Sequence, residues 1–285
     1  MKFTELALKP EVLNALEVMG YEEMTPIQEQ AIPHILEGRD VLGMAETGSG
    51  KTSACGVPLV HLADPDLNNV QVLVIVPTRE LALQYVEEVG KVADQAGVAT
   101  FAIFGGFDMG IQRTKLRHKV HILVATPGRL IDFLWNTDII DLRQVRTVVL
   151  DEADEMLKMG FIEDVDFILS CMLQQHQVLL WSATMPPEIE KLTTRYLRDP
   201  VKVELIRDRS APVSLQHHFL HVKGDRVETL TQFLADDLVR KFGAAALETL
   251  AQPDYVRRAF LARDAPRRFA QRSGGNREDR EFAGL

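Results

Sequence analysis

Residues Ala45 to Thr52 read AETGSGKT, and one hundred residues after Lys51 the chain reads Asp151, Glu152, Ala153, Asp154. Gly48 and Gly50 let the backbone bend so that successive N–H groups turn inward, the arrangement that cradles phosphate oxygens. A helix starting near Lys51 would add its positive N-terminal end. Ala45, Glu46, Thr47, Gly48, Ser49, Gly50, Lys51 and Thr52 therefore form a candidate phosphate-binding loop, with Ala45 standing where the general pattern has Gly. The Lys51 amine can reach outer phosphates, and the Thr52 hydroxyl can ligate Mg2+. Directly upstream, Val41 to Met44 is a short apolar strand candidate, so strand, loop and helix follow in the order the loop needs.

The acidic element ends the apolar run Val145 to Leu150, which reads as a buried parallel strand with carboxylates just past its C-terminal end. Open α/β sheets bind ligands at that end. Asp151 is a candidate Mg2+ ligand, since this ion keeps several waters and takes few carboxylates. Glu152 is placed to orient or deprotonate an attacking water. The alternative is that Asp151 and Glu152 only cap the following helix, Ala153 to Lys158. As a pair the two elements point to ATP with Mg2+.

Further strand candidates are Gln71 to Val76, Thr100 to Phe104, His121 to Ala125, Thr147 to Leu150, Val178 to Trp181 and Val201 to Leu205. Helical patterns lie between them, including Leu81 to Ala93, Ile111 to Arg117 and Ile162 to Leu173. Alternation of this kind implies an α/β fold, a doubly wound and mostly parallel sheet with helices on both faces.

Over its first 205 or so residues the chain resembles the first RecA-like domain of a DEAD-box ATP-dependent RNA helicase, a P-loop NTPase fold. The resemblance rests on motifs in the family's order. Phe3, then Gly20, Tyr21, Thr25, Pro26, Ile27 and Gln28, are similar to the adenine-recognising Q motif. An amide suits that role because Gln28 can donate and accept at one base edge. For Phe3 two readings stand: a ring packed on the base, or a core residue anchoring a helix. Pro77, Thr78 and Arg79, with Glu80 and Leu81, match motif Ia; Gly105 and Gly106 match the paired-glycine element; Thr126, Pro127, Gly128 and Arg129 match motif Ib. The resemblance implies that these line an RNA path, where Gly, Thr and Arg offer donors to phosphates without reading sequence. Ser182, Ala183 and Thr184 match motif III, and the hydroxyls are expected to reach Asp154, linking the ATP state to RNA. Glu46 departs from the family's usual Gln.

The expected organisation is 1–207 as the RecA-like domain, 208–238 as a linker and the remnant start of a second such domain, and 239–285 as a basic, partly disordered tail. The whole chain carries −9, whereas the tail holds 10 Lys and Arg against 6 Asp and Glu, or +4, leaving −13 for the rest. That balance argues against charge-driven nonspecific binding by the main body. The helix pattern Lys241 to Leu261 and the Arg-rich end, Arg263 to Gly284, read either as a loose RNA grip or as a solvated tail. His217, His218 and His221 fall in a strand-like stretch rather than on a metal-binding helix face. No stretch resembles the family's arginine-finger motif. With two Cys, no apolar signal core and no run of membrane-spanning length, a cytoplasmic protein without membrane contact is expected. Two functions follow: an RNA helicase with ATP hydrolysis, or a noncatalytic ATP- and RNA-binding module that competes with full-length helicases. Partner helicase chains or ribonucleoprotein components are expected for either.

Overall fold

A computed structural model of the chain describes residues 1–45 and 48–205. Glu46 and Thr47, the expected 208–238 remnant, the 239–285 tail and the histidine cluster lie outside the described residues.

Seven parallel strands form one sheet among the described residues: β1 (Val41–Met44), β2 (Val72–Ile75), β3 (Thr100–Ile103), β4 (Ile122–Ala125), β5 (Thr147–Leu150), β6 (Gln177–Ser182) and β7 (Val201–Glu204), in the order β3-β4-β2-β5-β6-β1-β7. The inner strands are apolar because both of their faces are covered. Val72 and Val74 of β2 join the core beneath α1 (Pro10–Val18), α2 (Pro26–Leu36), α3 (Lys51–Leu62) and α4 (Arg79–Gln95). Leu73 and Ile75 join the opposite core, under α5 (Met109–Leu116), α6 (Pro127–Asn136), α7 (Ala153–Lys158), α8 (Ile162–Ser170) and α9 (Pro187–Tyr196). Alternate residues thus face opposite helical layers, as a doubly wound sheet requires.

Strand positions follow the sequence reading to within a residue or two, and the differences have local causes. Strand β6 runs on through Ser182, which pairs with Met44, so the motif III serine belongs to the sheet. The helix expected from Leu81 begins at Arg79 because Thr78 caps it, its side chain accepting the Leu81 N–H at 3.2 Å. Thr126 to Arg129 is likewise no simple turn: Pro127 opens α6, a position that tolerates a residue without an N–H.

Two glycines decide how the site is built. Gly50 caps α3 with φ +96°, and a Cβ there would lie 3.0 Å from both Gln28 Nε2 and Thr25 Oγ1. Gly43 pairs with Trp181 across β1 and β6, and a Cβ on it would fall 2.0 Å from the Trp181 ring. The indole is packed flat against the bare backbone of β1.

Candidate functional site

Because every strand runs the same way, all strand C-termini share one rim. The loops after β1, β5 and β6 occupy one half of it, and those after β3, β4 and β2 occupy the other. The chemistry divides along the same line.

On the β5-β6-β1 half a cleft of about 870 Å³ is lined by Tyr21, Thr25, Gln28, Gly48 to Thr52, Asp151 and Glu152, among others. Gln28 sits in the first turn of α2, where its amide oxygen accepts the Thr25 N–H at 2.9 Å and its Nε2 donates to the Gly50 carbonyl at 3.4 Å. The Thr25 hydroxyl donates to the Ser49 carbonyl at 3.3 Å. The expected base-reading element is therefore clasped directly onto the phosphate loop. Lys51 is buried, donates to the Ala45 carbonyl at 3.1 Å and lies 3.9 Å from Asp151 Oδ1. A loop that closes around its own lysine in this way offers that cation to an entering anion.

Asp151 is buried at the end of β5, and its Oδ1 accepts the Glu152 N–H at 2.9 Å. Burial pushes its carboxyl from an ordinary 3.8 up to about 6; Lys51 opposes that rise and Glu152 adds to it. The folded chain holds this proton more tightly than the unfolded chain, so Asp151 lowers stability as pH rises from about 4 to 6. A bound cation favours the ionised form. The Asp151 carboxyl carbon is therefore expected to titrate near pH 6 by NMR in the free chain, and at lower pH when a divalent cation is bound beside it. Glu152 follows in the left-handed region, φ 54° and ψ 51°, at the N-cap of α7. That conformation costs an L-residue about 1–2 kcal/mol, and here it turns the carboxylate-bearing segment sharply at the strand end.

Asp154, one turn further, accepts the Ala183 N–H at 3.2 Å and the Thr184 hydroxyl at 3.0 Å. Burial alone would raise its carboxyl, and these hydrogen bonds, with help from Ser182, hold it below the usual range. The expected Thr184 contact is present. The Ser182 hydroxyl itself donates to the Thr184 carbonyl at 2.6 Å, so the serine shapes the turn that presents the threonine.

Phe3 is not brought to the cleft wall. It is 2% exposed within the core under α1 and α2, and the half-exposed aromatic ring lining the cleft is that of Tyr21. Leu81, read from the sequence as part of motif Ia, lines the same cleft, and so do Gln84, Glu88 and Lys91 on the same face of α4, which the sequence reading left out. Their three- and four-residue spacing was the available signal.

On the β3-β4-β2 half, Pro77, Thr78 and Arg79 follow β2, Gly105 and Gly106 follow β3, and Thr126 to Arg129 follow β4. Arg79, Gly105, Gly106 and Gly128 are exposed, while Pro127 is buried as a helix anchor. Arg129 donates from Nη1 to the Phe107 carbonyl at 3.1 Å and stands 3.6 Å from Asp132, tying the β4 loop to the β3 loop.

No cluster of three or more His, Cys, Asp or Glu able to hold a metal occurs among the described residues. A cation at this site would take one carboxylate and one hydroxyl, Asp151 and Thr52, and fill its remaining positions from phosphate and water, as Mg2+ does.

The sequence profile described as DEAD/DEAH box helicase matches residues 25–192. The chain belongs to that family. It is 44% identical over 233 residues to the DEAD-box ATP-dependent RNA helicase CshA of Bacillus licheniformis, covering 81% of this chain and 48% of the relative. It is 43% identical over 245 residues to CshA of Geobacillus kaustophilus, covering 85% and 52%. Among solved structures, a DEAD box protein from the hyperthermophile Methanococcus jannaschii superposes with a TM-score of 0.68 at 38% identity, over 72% of this chain and 56% of that one. The chain thus spans about half the length of the curated relatives it matches. No helix among the described residues is long and apolar enough to cross a membrane.

Proposed function

We propose that this chain is the ATP-binding half of an ATP-dependent RNA helicase. Lys51 and the backbone amides from Ala45 to Thr52, including Glu46 and Thr47, hold the phosphates, and Gln28 selects adenine. Asp151 and Thr52 hold Mg2+, which neutralises charge on the transferring phosphoryl group when bound. Glu152 orients and deprotonates the attacking water. Pro77, Thr78, Arg79, Gly105, Gly106 and Thr126 to Arg129 contact the RNA backbone, and Asp154, Ser182 and Thr184, joined across β5 and β6, link the ATP state to the RNA-bound arrangement. The Phe3 ring is buried in the core and presents no face to the base.

The observation that carries this reading is the buried Lys51–Asp151 pair, 3.9 Å apart, beneath a glutamine that holds the loop's Gly50. Two ionic groups desolvated together at a strand end cost stability, which a ligand with the opposite arrangement of charges, Mg2+ on phosphate, recovers. Complete turnover needs a second set of cationic groups across the cleft, worth roughly 10³ to 10⁵ in rate in comparable enzymes. The RecA-like domain supplies one side, and a partner helicase chain is one source of the other. Two unpaired thiols, Cys55 and Cys171, support a reducing, cytoplasmic setting.

A second reading is a noncatalytic ATP- and RNA-binding module that competes with or regulates full-length helicases. Measuring MgATP binding and phosphate release by the purified chain, with and without single-stranded RNA, separates the two. RNA-stimulated release that disappears in Glu152→Gln supports the helicase. Binding without release supports the module, and a chain that binds no MgATP overturns both.

A further inference from the structure

Three loops of the rim converge on one wet aromatic ring. Phe107 is 43% exposed although it is a phenylalanine between two structured elements. Gly106, at φ +74°, turns the chain into it, and Asp108 immediately caps α5 by accepting the Ile111 N–H at 2.8 Å. The Phe107 carbonyl accepts Arg129 Nη1 from the first turn of α6. Its ring leans on Phe104 at the end of β3, centroids 6.1 Å apart and planes tilted by 55°. Phe104 is in turn covered by the Arg79 guanidinium, 5.1 Å from the ring centre. The backbone of Phe107 is thus pinned to one loop and its ring is braced against a second, itself capped by a cation from a third.

A braced aromatic left half in water gains little for the fold, since its burial is incomplete. It supplies what an unstacked nucleobase seeks: a rigid π-face with guanidinium groups close enough to hold the neighbouring phosphates. The helix leaving Phe107 adds exposed Arg113, Lys115 and Arg117. We propose that Phe107 is a stacking platform for one base of a single-stranded RNA whose backbone passes over Gly105, Gly106 and Thr126 to Arg129. The inference rests on the RNA path proposed above, but it adds a contact of another kind. Phosphate donors are blind to whether a base is present; Phe107 is not.

The test compares binding of the full 285-residue chain to fluorescently labelled hexauridine and to the same ribose-phosphate backbone without bases, at one fixed salt concentration. The native chain is expected to prefer the base-bearing oligomer. Phe107→Ala should lose roughly 5- to 150-fold in affinity for it while binding the abasic backbone unchanged, and Phe107→Trp should keep the preference. Far-UV circular dichroism and thermal melting verify that both variants remain folded. A Phe107→Ala chain that retains the full preference overturns the stacking assignment, while weakened binding of both oligomers by Arg129→Ala leaves the backbone path standing. If the native chain binds neither oligomer, the path and the platform fall together.

Discussion

Replacing Lys51 with alanine is expected to weaken MgATP binding by about 30- to 5,000-fold, the equivalent of roughly 2–5 kcal/mol for truncating one partner of a buried, hydrogen-bonded charge pair. The loss has two parts. The amine no longer meets the phosphates, and Asp151, 3.9 Å away and already pushed up to about 6 by burial, loses the cation that opposes its protonation. Its carboxyl then climbs further, so at neutral pH a fraction of the chains present an uncharged group to Mg2+. Because the second effect passes through Asp151, Lys51→Ala and Asp151→Asn should be less than additive in a double-mutant cycle. Calorimetric titration with MgATP, after circular dichroism has shown an intact fold, makes the comparison. Affinity within threefold of the native chain would mean that the cleft does not hold phosphates through Lys51.

Gly43→Ala should cost on the order of 3 kcal/mol, read as a lowered midpoint of urea unfolding with unchanged slope. The added methyl would fall 2.0 Å from the Trp181 ring, and neither neighbour can yield. The glycine is in the middle of β1, bonded on one side to β6 and on the other to β7, and the fully buried indole is enclosed on its other faces by the core. Relief requires β1 to separate from β6, which would move the phosphate loop and Ser182 apart. The variant is therefore expected to lose nucleotide binding along with stability. Changing the obstacle as well, in Gly43→Ala with Trp181→Phe, should recover part of the loss, whereas a midpoint equal to that of the native protein would contradict this packing.

Most of this architecture could be read from the chain because its signals are local. An apolar run of five residues ended by a proline, as at Val72 to Val76, has few options other than a buried parallel strand, and the loop glycines announce their conformation. The Asp154–Thr184 contact was legible too, because the family resemblance implied that motif III lies beside the acidic motif, and β5 and β6 are indeed neighbours. What escaped reading depends on where backbone atoms come to rest. The Arg129 contact to Phe107 goes to a carbonyl, which no side-chain pattern records. The hold of Gln28 on Gly50 joins residues 22 apart through another carbonyl. Phe3 shows the converse difficulty: an aromatic side chain near a binding motif serves a core as readily as a ligand, and the nearby helices settled it in the core.

The shared direction of the strands sets the proposed binding rim at one end of the sheet and leaves the other end a strand length away. Arg39, Arg146, His176 and Arg198 surround a cavity of about 620 Å³ at the N-terminal ends of the strands, a full strand length from either group of loops. A fluorophore, affinity handle or surface tether attached at an exposed position there, such as Gln175, would leave the proposed nucleotide cleft and RNA-contacting loops unobstructed. The sheet would then act as a stiff mount, and single immobilised molecules could be watched from the rim where the ligands arrive.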